Sequence, residues 1–151
     1  MDFLPINLRI NRGKILIVGG GRVATHKALI LRRFTENIMV VAPEISETLQ
    51  SLPFEKKPKA FDSSDLNGIS IVYACTGKSL LNQEIKAAAT ERGILANICD
   101  NPSLCDFTSP AIFSSDGITI AVSSDAKDVK RSIRVRNIIQ KAIEDGKIQI
   151  E

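Results

Sequence analysis

Short apolar runs alternate along the chain with longer segments in which apolar residues recur every three or four positions. The runs at residues 14–18, 38–42, 69–75 and 94–99 are strand-sized and apolar almost throughout. Strands of that kind are buried on both faces, as in a parallel sheet covered by helices. Residues 22–34 predict a helix with Ala24, Ala28 and Leu31 on one face. Residues 80–92 predict another, with Ile85, Ala88 and Ala89 on its apolar side and Gly93 as its stop. Pro43 ends the second run, Asn67-Gly68 and Thr76-Gly77 bracket the 69–75 strand, residues 45–52 predict a short helix, and residues 57–61 a short third strand.

The alternation then changes. Two extended runs, 107–113 and 118–123, flank Ser114-Ser115-Asp116-Gly117, and Asp-Gly between such runs signals a hairpin. A last helix is predicted over 127–145, stopping at Gly146, with Val135, Ile138, Ile139, Ala142 and Ile143 in one apolar stripe. An appendage of about forty residues can hardly bury that stripe alone, so it is expected to pair with a second chain, packing back on its own core being the alternative. The expected fold is α/β, a Rossmann-like parallel sheet with a C-terminal ββα dimerisation segment.

The glycines after the first strand give this fold a chemistry. In Ile17-Val18-Gly19-Gly20-Gly21-Arg22-Val23-Ala24, Gly19, Gly21 and Ala24 fit the strand–turn–helix fingerprint G-x-G-x-x-G/A of dinucleotide-binding sheets. The first glycine permits the tight turn, the second admits a pyrophosphate, and Ala24 keeps helix and strand close. The helix N-terminus offers unsatisfied N–H groups to the phosphates. The alternative is a structural turn with no ligand. With it, residues 1–112 are expected to form an NAD-binding domain and 113–151 the dimerisation segment.

Composition narrows the picture little. A net charge of +3 makes no case for nucleic acid, and no run is long enough for a membrane span. Met1 to Ile6 include an acid and a proline rather than a signal-peptide pattern, so a cytoplasmic compartment is expected. Cys75 and Cys99 fall in or just after apolar strands and are expected as small core residues, Cys105 is left open, and no zinc spacing exists.

Ligands of open parallel sheets sit beyond the carboxyl ends of the strands. Asp100 follows the fifth strand in Asn97-Ile98-Cys99-Asp100-Asn101-Pro102. It is a candidate general base or, equally, a cap for the turn before Pro102. Glu44 arrives late after the second strand, and no arginine stands there to grip a 2′-phosphate, which favours NAD over NADP. Glu44 could equally open the next helix. Lys127, Lys130, Arg131 and Arg134 form a basic stripe suited to an anion, nucleic acid or carboxylate-rich small molecule alike, with a solvated face as the alternative. His26, the single histidine, is expected to be exposed, which leaves no room for a Ser-His-Asp site.

Met1–Ile6, Ile17–Ala24 with Lys27-Ala28, Val40-Val41-Ala42-Pro43-Glu44, Asn97–Pro102, and Cys105-Asp106-Phe107 through Pro110-Ala111 resemble, in order and spacing, the precorrin-2 dehydrogenase / sirohydrochlorin ferrochelatase family. The resemblance implies a homodimer that oxidises precorrin-2 to sirohydrochlorin, with NAD as hydride acceptor, in sirohaem and related tetrapyrrole synthesis. No nucleic-acid or membrane partner and no resident metal is expected. Gly19, Gly20, Gly21, Arg22, Val23, Pro43, Glu44 and Thr76 match cofactor positions. Asp100 matches the aspartate proposed as general base, which bifunctional members also need for iron insertion. Ser123, Ser124, Lys127, Lys130 and Arg131 match the substrate region, where the carboxylates of precorrin-2 suit the basic stripe. The stretch departs from the family's usual pattern at Ala126, Asp128 and Val129, as does Gly77-Lys78 after Thr76, and many relatives continue into a helical region beyond the position of Glu151. These departures leave chelatase activity open. A non-catalytic NAD-sensing regulatory module and a chelatase-only scaffold remain the alternatives.

Overall fold

The computed structural model describes residues 1–149. Five parallel strands, β1 (Lys14–Val18), β2 (Ile38–Val41), β3 (Glu55–Lys57), β4 (Ile69–Ala74) and β5 (Leu95–Ile98), lie in the order β3-β2-β1-β4-β5. Helices α1 (Arg22–Leu31), α2 (Glu47–Ser51) and α3 (Ser79–Glu91) connect them. The chain builds outward from β1 to β3, then crosses back to place β4 on the other side of β1. That reversal opens a crevice at the carboxyl ends of β1 and β4, where α/β sheets take their ligands.

Because successive side chains of a strand point to opposite faces, the apolar runs feed two cores. Ile15, Ile17, Ile38, Val40, Ile71 and Tyr73 pack with Ala24 and Ala28 of α1 and Leu49 of α2. Leu16, Val18, Met39, Val41, Val72 and Ala74 pack with Ile85 and Ala89 of α3 on the other face. Both faces are covered, as the uninterrupted runs require.

The third strand is misplaced by the sequence reading. It spans Glu55–Lys57 rather than residues 57–61 and pairs with Met39–Val41. Pro58 explains the shift, since it has no N–H for the ladder and stops the strand where the expectation began it. The expected 22–34 helix ends at Leu31, and two 3₁₀ turns, Ser63–Leu66 and Pro102–Leu104, were not foreseen.

Contacts divide the chain into Ile6–Phe107, which holds the sheet, and a second unit of Met1–Pro5 with the residues from Thr108 onward. In the second unit β6 (Ala111–Ser115) and β7 (Ile118–Val122) form an antiparallel hairpin, and α4 (Val129–Glu144) packs on both strands. Ser114 and Ser115 belong to β6, so the loop is Asp116-Gly117 alone, both at positive φ (48° and 78°), the two-residue turn that matches strand twist. Asp125 pins the N-terminus: its Oδ1 accepts from the backbone N–H of Asp2 (2.8 Å) and Phe3 (3.0 Å), and its Oδ2 pairs with Lys127 Nζ (2.9 Å). The Lys127 ammonium, seconded by the two amides, holds the Asp125 carboxyl down to about 2. Ala126, where the resembled family has glycine, sits at φ 60°, a conformation that costs a side chain about 1–2 kcal/mol.

Candidate functional site

A cleft of about 660 Å³ opens at the carboxyl ends of β1, β2 and β4, within the range of small-molecule sites. The glycine loop forms its floor. Gly19 has φ 128°, and a Cβ there would lie 2.4 Å from the carbonyl oxygen of Cys75 on the adjoining strand. A Cβ on Gly20 would lie 1.8 Å from the carbonyl oxygen of Glu44, because the loop after β2 rests on this residue and Ser46 N–H donates to Gly20 O (2.9 Å). Gly21 differs: nothing in the protein lies within 4 Å of the Cβ it lacks. Internal packing therefore explains glycine at 19 and 20 but not at 21. Gly21 lines the cleft as the N-cap of α1 and offers no side chain to the first-turn N–H groups. An uncapped helix start behind an open glycine fits the pyrophosphate of a dinucleotide.

Pro43, Glu44 and Thr76 also line the cleft, while Arg22 and Val23 open α1 beside it without lining it. Glu44 does not open the next helix, since Ser46 caps α2 and Glu47 supplies the acid of its first turn. The sequence reading missed Phe61, Leu81 and Ile45, which give the cleft apolar walls.

Asp100 follows β5 and is exposed. The turn before Pro102 is capped not by Asp100 but by Asn101, whose Oδ1 accepts from Ser103 N–H (3.2 Å). Asp100 instead faces the start of α3: Oδ2 accepts from Ser79 Oγ (3.0 Å) and Oδ1 from Asn82 Nδ2 (2.9 Å). Asn82, 1% exposed, accepts at Oδ1 from Thr76 Oγ1 (2.7 Å) and Thr76 N–H (3.3 Å). This buried amide thus ties Thr76 at the cleft to Asp100. It shares the buried stripe of α3 with Ile85 and Ala89, and a polar residue in an apolar stripe was the signal that could have revealed it.

The expected substrate residues all lie in the second unit. Ser123 Oγ accepts from Asp125 N–H, Ser124 Oγ accepts from Asp128 N–H, and Lys127 pairs with Asp125. These three shape the entry to α4, whereas Lys130 and Arg131 are exposed on its first turns. In the α4 stripe Val135 and Ile138 are exposed, Ile138 at 68%, and Ile139, Ala142 and Ile143 are half-buried. His26 is exposed, and among the described residues no group of three or more His, Cys, Asp and Glu could hold a metal. Nor is any helix among them long and apolar enough to cross a membrane.

A family model described as putative NAD(P)-binding matches residues 6–111. The chain is 37% identical over 128 residues to a siroheme synthase of Nitrosococcus oceani, covering 82% of this chain and 27% of that protein. It is 39% identical over 140 residues to a siroheme synthase of Ectopseudomonas mendocina, covering 90% of this chain and 30% of that protein. The chain therefore spans less than a third of the length of these curated relatives. Among solved structures, SirC, precorrin-2 dehydrogenase, matches with a TM-score of 0.78 at 22% identity, over 92% of this chain and 70% of that one. At that identity the likeness is one of fold.

Proposed function

This chain belongs to the putative NAD(P)-binding family, and from that premise we propose that it oxidises precorrin-2 to sirohydrochlorin with NAD as the acceptor. The observation that carries the reading is the bridge from Thr76 through buried Asn82 to Asp100, which sets an exposed carboxylate in fixed relation to the cleft above the glycine loop. The siroheme synthase relatives and the SirC fold support the choice of substrate.

The Gly19–Gly21 loop and the open N–H groups of α1 hold the pyrophosphate, with Arg22 and Val23 at the helix start. Pro43 and Glu44 flank the adenosine ribose, and the negative charge of Glu44 favours free ribose hydroxyls over a 2′-phosphate. Thr76 closes the β4 side. NAD supplies a nicotinamide ring that accepts a hydride. The oxidation also releases a proton, and Asp100 is the residue that takes it. Ser79 and Asn82 fix the carboxylate's direction without enclosing it. Ser123, Ser124, Lys127, Lys130 and Arg131 form the substrate-facing segment of the second unit, the exposed Lys130 and Arg131 meeting the carboxylates of precorrin-2. The exposed part of the α4 stripe, Val135 and Ile138, receives a second copy of the chain. The proposed activity is the oxidation alone.

Anaerobic incubation with precorrin-2 and NAD, followed by NADH absorbance, tests the reading. The parent should turn over. Asp100→Ala should fold and bind NAD but lose roughly two orders of magnitude in rate, the scale of a positioned general base. Activity within about threefold of the parent, far short of that scale, removes Asp100 as the base. A parent that binds NAD yet forms no NADH is a regulatory module instead.

A further inference from the structure

Two thiols meet behind the cleft. Ala74 of β4 pairs with Ile98 of β5, and Cys99 N–H donates to Ala74 O (3.0 Å), so the parallel register runs one residue past each strand end to Cys75 and Cys99. Both side chains pack in the core on the α1 face of the sheet, and their sulfurs approach to 2.7 Å. Neighbouring strands lie about 4.7–4.9 Å apart. A disulfide needs Cα atoms roughly 4.4–6.8 Å apart, a range in which register neighbours on one face fall.

We propose that Cys75 and Cys99 form a reversible thiol–disulfide site that exchanges with small-molecule disulfides of the glutathione class. The two thiols are unequal, as stepwise exchange requires. Cys75 is buried and Cys99 half-buried. The sulfur–sulfur contact, seconded by the Lys27 charge, holds the pKa of the Cys99 thiol below its ordinary value. The same contact, with burial, pushes Cys75 up. Cys99, the thiol that a reagent can reach, is the attacking thiolate, and buried Cys75 is the resolving thiol.

In the first step the Cys99 thiolate attacks one sulfur of the oxidised reagent, forming a mixed disulfide and releasing one small thiolate. In the second, Cys75 gives its proton to that thiolate and its sulfur attacks the Cys99 sulfur, releasing the second small thiolate, which takes from solvent the proton that Cys99 lost on ionising. Two protein thiols are oxidised and one small disulfide is reduced to two thiols. The bond ties the ends of β4 and β5 between Thr76 and Asp100. Intracellular disulfides are characteristically transient and redox-sensing. Cys105 packs with the α3-side core and takes no part.

The test uses the full chain incubated with oxidised glutathione, quenched in acid, alkylated and mapped by mass spectrometry. Free thiols should fall from three to one, a Cys75–Cys99 linked peptide should appear, and dithiothreitol should reverse both. Cys75→Ser should stop at a single glutathione adduct on Cys99. Cys99→Ser should lose its thiols roughly tenfold more slowly or less, since the remaining partner is buried and holds its proton. Cys105→Ala should behave as the parent. A link involving Cys105, links only between chains, an adduct on Cys99 that does not close in the parent, or a parent with all thiols intact would each overturn the proposal. The outcome is independent of NADH formation, so it does not stand or fall with the proposed oxidation.

Discussion

Alanine at Gly20 and alanine at Gly21 should fail in opposite ways. The Cβ added at Gly20 would lie 1.8 Å from the Glu44 carbonyl oxygen, so the loop after β2 must move. Overpacking of that kind costs about 1–3 kcal/mol. At about 2–4 °C per kcal/mol for a chain of this size, the melting temperature should drop by roughly 2–12 °C. The Cβ added at Gly21 meets nothing within 4 Å, and the backbone there (φ −91°, ψ −162°) suits any residue. Reduced unfolded-chain entropy contributes about 0.4–1 kcal/mol, offset by a similar loss at the helix N-cap, about 0.5–1 kcal/mol. Gly21→Ala should therefore melt close to the parent. Its methyl group, however, occupies the approach to the α1 N–H groups. Displacing a phosphate from one charge-assisted hydrogen bond costs about 1.5–3 kcal/mol, which is roughly ten- to 150-fold in Kd. Titration calorimetry with NAD, and scanning calorimetry on the same samples, read both effects. Unchanged NAD affinity in a folded Gly21→Ala protein refutes the placement of the pyrophosphate, and a Gly20→Ala protein as stable as the parent refutes the packing argument.

The other tests concern the second unit. Ile138 is 68% exposed on α4, so Ile138→Glu should leave each chain folded. It should weaken self-association roughly ten- to 150-fold, by loss of about 1.5–3 kcal/mol of apolar burial. Sedimentation decides this, and a monomeric parent at micromolar concentration refutes the pairing. Asp125 is held down to about 2 against about 3.9 when unfolded. Its contribution is therefore complete above about pH 4 and is lost as the pH falls through about 2. The melting-temperature gap between the parent and Asp125→Asn should be constant above about pH 5 and narrow from about pH 4 to 2, and a gap that does not narrow refutes the role of the ionised carboxylate.

The chain by itself determined the sheet, its two-sided burial, the glycine loop and the hairpin. Each is a local matter: strand parity assigns Ile15 and Ile17 to one core and Leu16 and Val18 to the other. Asp116-Gly117 carries its turn in its own dihedrals. Two strands lie elsewhere than expected: Glu55–Lys57 rather than 57–61, because Pro58 has no N–H for the ladder, and Ala111–Ser115 rather than 107–113. Tertiary structure decided what depends on register between distant segments. Only the approach of Glu44 to Gly20 shows that Gly20 serves packing, whereas nothing in the protein lies within 4 Å of the Cβ that Gly21 lacks. Asp100 and Asn101 are adjacent acceptors in the sequence, and α3 decides which of them faces Asn82. Cys75 and Cys99 are 24 positions apart and meet because β4 and β5 pair in one register and not another. Burial pattern is written residue by residue along a chain, whereas hydrogen-bond partners are fixed only when separate segments come together.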